Sequence, residues 1–320
     1  MKRALAVLAL ALLSACGSSS TPSAVQEGVG AAKSLCVKSS CGQARQIVDL
    51  PDLENLKITS AGRVFVTGQQ NFYEISRDDL GTYNARPLLS AGSGCSGMAL
   101  NGNTLYALCS SGSGGSPTDM SGLFALDLSA ANAVPQHIYN LADMTLPNGM
   151  VWDAMGGFLY VTDGPVAVDP KIVRLKVDSA DPRRIQMQET WLKTLPQYPN
   201  GLALRGRSLY TTLYNPSTAI GTVVQTDILP DGSAGPLTAL YAKGIMDDLS
   251  VAGDSLLVTD WQGDAIFQLA LDGTLLQTTD AGSFSKPSTV ELASGPLFKA
   301  GELLITERYT GRGVWLFSPR

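Results

Sequence analysis

One pattern recurs six times along this chain, and it restricts the possible folds more than any other feature. Each copy runs as a short polar turn, a strand, a Gly or Asn turn, a second apolar strand, a loop, a third strand and an outer strand. The copies open at Glu54-Asn55-Leu56, Ser96-Gly97-Met98, Asn148-Gly149-Met150, Asn200-Gly201-Leu202, Asp247-Asp248-Leu249 and Ser288-Thr289-Val290, with leading positions 42, 52, 52, 47 and 41 residues apart. The second strands repeat as clearly, for example Val64-Phe65-Val66-Thr67, Leu159-Tyr160-Val161-Thr162-Asp163, Leu256-Leu257-Val258-Thr259-Asp260 and Leu303-Leu304-Ile305-Thr306-Glu307. Such β-branched and aromatic runs, bounded by Gly, Asn and Asp, belong to buried strands and not to helices. Four strands per copy is one blade, so the pattern predicts an all-β, six-bladed β-propeller. The sixth copy lacks an outer strand, and an unmatched strand, Arg45 to Leu50, precedes the first copy. Placing that strand on the sixth blade closes the ring and removes two exposed edges. Residues 45 to 320 number 276, or 46 per blade.

The N-terminus carries different information. Met1-Lys2-Arg3 and the apolar run Ala4 to Leu13 make a signal-peptide core too short to stay as a membrane-spanning helix. Leu13-Ser14-Ala15-Cys16 resembles the lipobox of bacterial lipoproteins, which implies acylation of Cys16 and an anchor of several lipid chains. Gly17 follows, where an inner-membrane retention signal would place Asp, so the resemblance favours the outer membrane. Gly17 to Ser34 is mostly Ser, Gly, Ala, Thr and Pro with few large apolar groups. The expected organisation is a signal peptide over 1–15, lipidated Cys16 and a flexible tether over 16–43, and the propeller over 44–320.

Loss of Lys2 and Arg3 with the leader leaves 21 basic against 28 acidic side chains, a net charge of −7. With no basic face interleaved with aromatics, nucleic acid is excluded as a partner. Four cysteines remain beside Cys16: Cys36, Cys41, Cys95 and Cys109. An exported protein meets an oxidising compartment, so two disulfides are expected. Three pairings are open, and proximity favours Cys36 with Cys41 and Cys95 with Cys109, the latter across a hairpin turning at Asn101-Gly102-Asn103. A ring that hides its own sheet edges makes a monomer the default.

In a propeller the first strand of each blade lines the central channel, so the six leading residues converge on one mouth. They are Glu54, Ser96, Asn148, Asn200, Asp247 and Ser288, and all six carry oxygen. Two carboxylates and two amide carbonyls, completed by waters, suit a hard cation such as Ca²⁺, other divalent ions being open, and the lack of His and Cys disfavours softer metals. Polar turn residues at a solvent-filled mouth would give the same polarity without a metal.

The order Glu54, Asn148, Asn200, Asp247, with Pro147-Asn148-Gly149 and Pro199-Asn200-Gly201, resembles the regucalcin and gluconolactonase family of six-bladed propellers, and the repeat similarity covers nearly all of residues 45 to 320. Diisopropyl fluorophosphatase and the paraoxonases are related folds. The resemblance implies Glu54, Asn200 and Asp247 as metal ligands and Asn148 as a further ligand or substrate contact. Ser96 and Ser288, from their places in the ring of leading residues, are expected beside Asn148 at the substrate. It also implies hydrolysis of a small lactone or ester. For the base, Asp247 or its neighbour Asp248 is the candidate that the blade starts place at the mouth. The chain departs from the family at Met246-Asp247-Asp248, where Pro-Asp-Gly is usual, and at Thr145, where some members carry a substrate-binding arginine. The single histidine, His137, falls on an expected outer strand and rules out a histidine dyad. The competing expectation is a non-catalytic ligand- or protein-binding propeller at the cell envelope, since this fold hosts many functions.

Overall fold

The computed structural model describes residues 34–68, 71–89, 94–110, 121–130, 132–164, 168–309 and 311–320. The signal-peptide residues and Cys16 lie outside them. The described chain forms 24 strands in six four-stranded sheets and no helix. Five sheets take four consecutive strands each, β2–β5, β6–β9, β10–β13, β14–β17 and β18–β21. The sixth has the order β1-β24-β23-β22, so β1 (Gly42–Pro51) is its outer strand and closes the ring against β24 (Arg312–Pro319). The inner strands are β2 (Leu53–Ile58), β6 (Cys95–Asn101), β10 (Pro147–Asp153), β14 (Tyr198–Arg205), β18 (Met246–Ala252) and β22 (Pro287–Leu292).

Apolar side chains gather between blades. Six hydrophobic clusters are present among the described residues, one for each pair of neighbouring blades; Leu53, Leu56 and Val66 of the first meet Leu304 and Leu316 of the sixth. Each sheet therefore buries both faces, which explains continuous apolar second strands such as Leu256-Leu257-Val258.

A threonine near the end of the second strand ties each of four blades to the next. Thr67, Thr162, Thr212 and Thr259 donate to the carbonyls of Ser96, Asn200, Asp247 and Ser288, at 2.5 to 2.8 Å. The same hydroxyls accept the backbone N–H of Asn55, Gly149, Gly201 and Asp248 from their own inner strands. These contacts satisfy backbone groups that a bulge would otherwise strand, because the register shifts at the start of every inner strand, as between Met246 and Leu249.

Cys36 pairs with Cys41, and Cys95 with Cys109 across the β6–β7 hairpin. One boundary needs correction. Residues 34–41, expected within the tether, lie on the propeller: Val37 is 1% exposed in the cluster between the fifth and sixth blades, and Leu35 N–H donates to Gln268 Oε1 at 2.7 Å. The apolar Leu35 and Val37 supply the burial that Ser- and Gly-rich composition lacks. No helix among the described residues is long and apolar enough to cross a membrane.

Candidate functional site at the channel mouth

The bulge at each inner-strand start turns two consecutive residues toward the channel, which builds two polar storeys. The upper storey is the ring of six leading residues. The lower storey has glycine in the second, third and fourth blades. There a Cβ would stand 2.0 Å from the Asn148 carbonyl at Gly97, 2.2 Å from that of Asn200 at Gly149, and 2.3 Å from Asp248 Oδ1 at Gly201. In the first, fifth and sixth blades the lower storey is Asn55, Asp248 and Thr289. Asn55 Nδ2 and Thr289 Oγ1 each donate to Asp248 Oδ2 at 2.7 Å, and Leu249 N–H donates to Oδ1 at 2.8 Å. Asp248 is 7% exposed; burial pushes its carboxyl up to about 6, with Lys57 pulling the other way. The side chain that replaces the expected glycine is thus a structural plug, committed to neighbouring blades. It does not line the cavity at the mouth, so the expectation that Asp248 acts as a base fails on its placement.

Above that plug, Asp247 is the centre of the upper storey. Asn200 Nδ2 donates to its Oδ1 at 2.5 Å, and Ser288 Oγ lies 3.0 Å from its Oδ2. Ser288 Oγ is also 2.7 Å from the Glu54 carbonyl, which can only accept. The Glu54 carbonyl also lies 2.9 Å from Thr289 Oγ1, so the single proton of Ser288 is shared between that carbonyl and Asp247 Oδ2. Burial and the nearby Glu54 carboxylate push Asp247 up to about 8, against the pull of Arg308.

Arg308 was not among the residues expected from sequence. It follows β23 (Leu303–Glu307) directly, and its guanidinium forms an ion pair with Glu54 Oε2 inside the mouth. Burial opposes its charge, but Glu54 and Asp247 more than offset this and hold its pKa above the ordinary value. Trp261 occupies the matching place one residue past β19 (Ser255–Asp260) and packs edge-on against Tyr309, with centroids 5.5 Å apart. Asn200, Asp247, Trp261, Arg308 and Tyr309, with Ile245 and Met246, line a cavity of about 190 Å³.

The other expected site residues divide. Glu54, Asn200 and Asp247 come together. Asn148 lies on the ring but does not line this cavity. Ser96 and Ser288 are 5% and 1% exposed, and their hydroxyls serve the carbonyls of Pro147 and Glu54, so they belong to the wall instead of contacting a ligand. His137 sits on outer strand β9 (Gln136–Asn140), exposed and 2.9 Å from Asn140 Oδ1.

A divalent cation would require Glu54, Asn200 and Asp247 to turn oxygens toward one point. The donor types are right, but Asn200 presents Nδ2 to Asp247, and the guanidinium of Arg308 stands against Glu54. No group of three or more His, Cys, Asp or Glu side chains suited to a metal occurs among the described residues. As arranged, these residues do not fit the ion.

No protein-family model matches the sequence, and no curated protein is similar to it in sequence. Solved structures do share its shape. A gluconolactonase from Xanthomonas campestris superposes with a TM-score of 0.64 at 14% identity, over 87% of this chain and 90% of that one. A calcium-binding protein, regucalcin, from Agrobacterium tumefaciens gives 0.60 at 12%, over 86% and 92%. Virginiamycin B lyase from Staphylococcus aureus gives 0.56 at 11%, over 87% and 100%. What they share with this chain is the fold. At such identities the residues of the mouth must be judged on their own chemistry.

Proposed function

We propose that the protein hydrolyses a compact lactone or ester at the channel mouth, with Asp247 as general base and Arg308 facing the oxyanion. The observation that carries this reading is the buried Asp247 carboxyl lining an open pocket beside a guanidinium, with Trp261 and Tyr309 forming an aromatic wall. A cavity of about 190 Å³ suits a small ring and is tight for drug-sized ligands. A carboxyl pushed up to about 8 is a far stronger base, once ionised, than an ordinary aspartate. Water attacks the carbonyl carbon as Asp247 takes its proton, and the developing oxyanion meets the guanidinium donors. Collapse of the intermediate breaks the ester C–O bond, and the leaving alkoxide recovers the proton from Asp247, giving a hydroxy acid from a lactone. Fixed donors aimed at the place where charge develops are effective stabilisers of it.

Ca²⁺ is the cofactor implied by the family resemblance, and the blade starts carry donor types of the right kind but not in an arrangement that fits it. The guanidinium on Glu54 weighs against it, and no step above passes through a metal. Anchoring in the envelope through Cys16 is part of the same proposal and rests on the Leu13-Ser14-Ala15-Cys16 signature.

The test is turnover of a panel of five- and six-membered lactones and small aryl esters by wild type and Asp247→Asn. The proposal expects turnover in wild type and a loss of about 10²–10⁴-fold in the variant. A ligand that binds the mouth of wild type without turnover would establish the alternative, a binding propeller, for which the aromatic wall is already suited.

A further inference from the structure

Glu54 and Asp247 are both 6% exposed, and the Glu54 carboxylate stands close enough to act on Asp247. They come from the first and fifth blades, and the blade between them contributes only Ser288 at its own leading position. That leaves room above the sixth blade for a positive group. The sixth blade fills it from a different place, the turn between β23 and β24. We infer that Arg308 is the fixed cation of this site, built into the chain where a divalent ion would otherwise neutralise Glu54 and Asp247, and that the mouth holds together without metal.

The turn is shaped for this task. Arg308 N–H donates to the Lys286 carbonyl at 3.0 Å, Gly311 N–H returns to the Arg308 carbonyl at 3.1 Å, and Tyr309 N–H donates to Asp52 Oδ1 at 3.0 Å. Tyr309 adopts a positive φ of 56°, and a Cβ on Gly311 would lie 2.0 Å from the Ser285 carbonyl, so the turn is held by its neighbours. The guanidinium also lies over the Tyr309 ring, 4.9 Å from its centroid. Arginine suits the role better than lysine because its planar, weakly hydrated group is less costly to bury and keeps its charge. One guanidinium carries one positive charge against two carboxylates, whereas a divalent ion would balance both. The Arg308 guanidinium takes the Glu54 carboxylate, and Asn200 Nδ2 and Ser288 Oγ stand 2.5 and 3.0 Å from the two carboxylate oxygens of Asp247, so each acid already has a protein partner. The inference deepens the proposed site and shares its residues, but it does not depend on turnover.

The experiment is calorimetric titration with CaCl₂ and thermal unfolding in CaCl₂ or EDTA, on wild type, Glu54→Gln, Arg308→Gln, Arg308→Lys and the double variant Arg308→Gln/Glu54→Gln. Wild type and Arg308→Lys should melt at the same temperature in either solution and give no binding heat. Arg308→Gln should melt lower in EDTA, recover in calcium, and bind Ca²⁺ at least tenfold more tightly than wild type, with that binding lost in the double variant. Calcium binding by wild type that disappears in Glu54→Gln would overturn the inference. A folded Arg308→Gln with no calcium affinity would overturn it too. Should Arg308→Gln fail to fold, the wild-type titration alone decides. Absent turnover with these calcium results intact would remove the hydrolase and leave the inference standing.

Discussion

Replacing Asp247 with Asn should make the protein more stable and less active, by amounts the structure sets. In the unfolded chain this carboxyl has its ordinary value of 3.8, and in the folded protein it is pushed up to about 8. Between those values the folded state binds the extra proton, so stability falls as pH rises through the window. At pH 7 the gap on the unfolded side is about three pH units, worth about 4 kcal/mol at 1.36 kcal/mol per unit. Asn reproduces the protonated form, since its Nδ2 can donate to Ser288 Oγ where protonated Asp247 would. Because Glu54, Arg308 and the lower-storey Asp248 share the electrostatics, the expected gain at pH 7 is about 2–4 kcal/mol. The assay is urea unfolding of wild type and variant at several pH values. Their difference should grow by about 1.4 kcal/mol per unit from pH 4 and level off near pH 8. A difference that is flat with pH, or a variant less stable at pH 8, would refute the reasoning.

Three further outcomes follow from the fold. Thr212→Val keeps the shape but strands the Asp247 carbonyl and the Gly201 N–H, both bonded to Thr212 Oγ1, and should cost about 2–4 kcal/mol in denaturant unfolding. Replacing Cys95 and Cys109 together by Ala opens a loop of 14 residues, and should cost about 2–3 kcal/mol by the same measurement under oxidising conditions. Cys16→Ser should release the protein from membranes into the soluble fraction on cell fractionation, and mass spectrometry of the wild type should find the cysteine acylated.

Most of the architecture could be read from the chain because a propeller writes one pattern repeatedly. The run that carries Thr67, Thr162, Thr212, Thr259 or Thr306 near its end marks the second strand, and the structure shows why the threonine recurs: in four blades it joins a bulge to the next blade. Arg45 to Leu50 was legible as the closing strand because ring closure demands a partner for β24. The site was legible in part. Glu54, Asn200 and Asp247 announce themselves by position, whereas Arg308 lies one residue past Leu303-Leu304-Ile305-Thr306-Glu307, beyond the repeat used to align the blades. Its signal is the parallel with Trp261, one residue past Thr259-Asp260. The role of Asp248 was hidden by the bulge, where strict alternation no longer says which of two neighbours faces the cavity. Ser96 and Ser288 carry oxygen at the right positions, but short side chains reach the next blade's carbonyl more easily than a ligand.

The most direct test of the central claim is the pH dependence of kcat/KM for wild type on whichever lactone or ester it turns over best. The account predicts activity that rises with pH through an apparent pKa near 8, as Asp247 ionises beside Glu54 and Arg308, and no such rise in Asp247→Asn. Turnover that persists in the variant with the same profile, or absence of turnover across the panel, would contradict it.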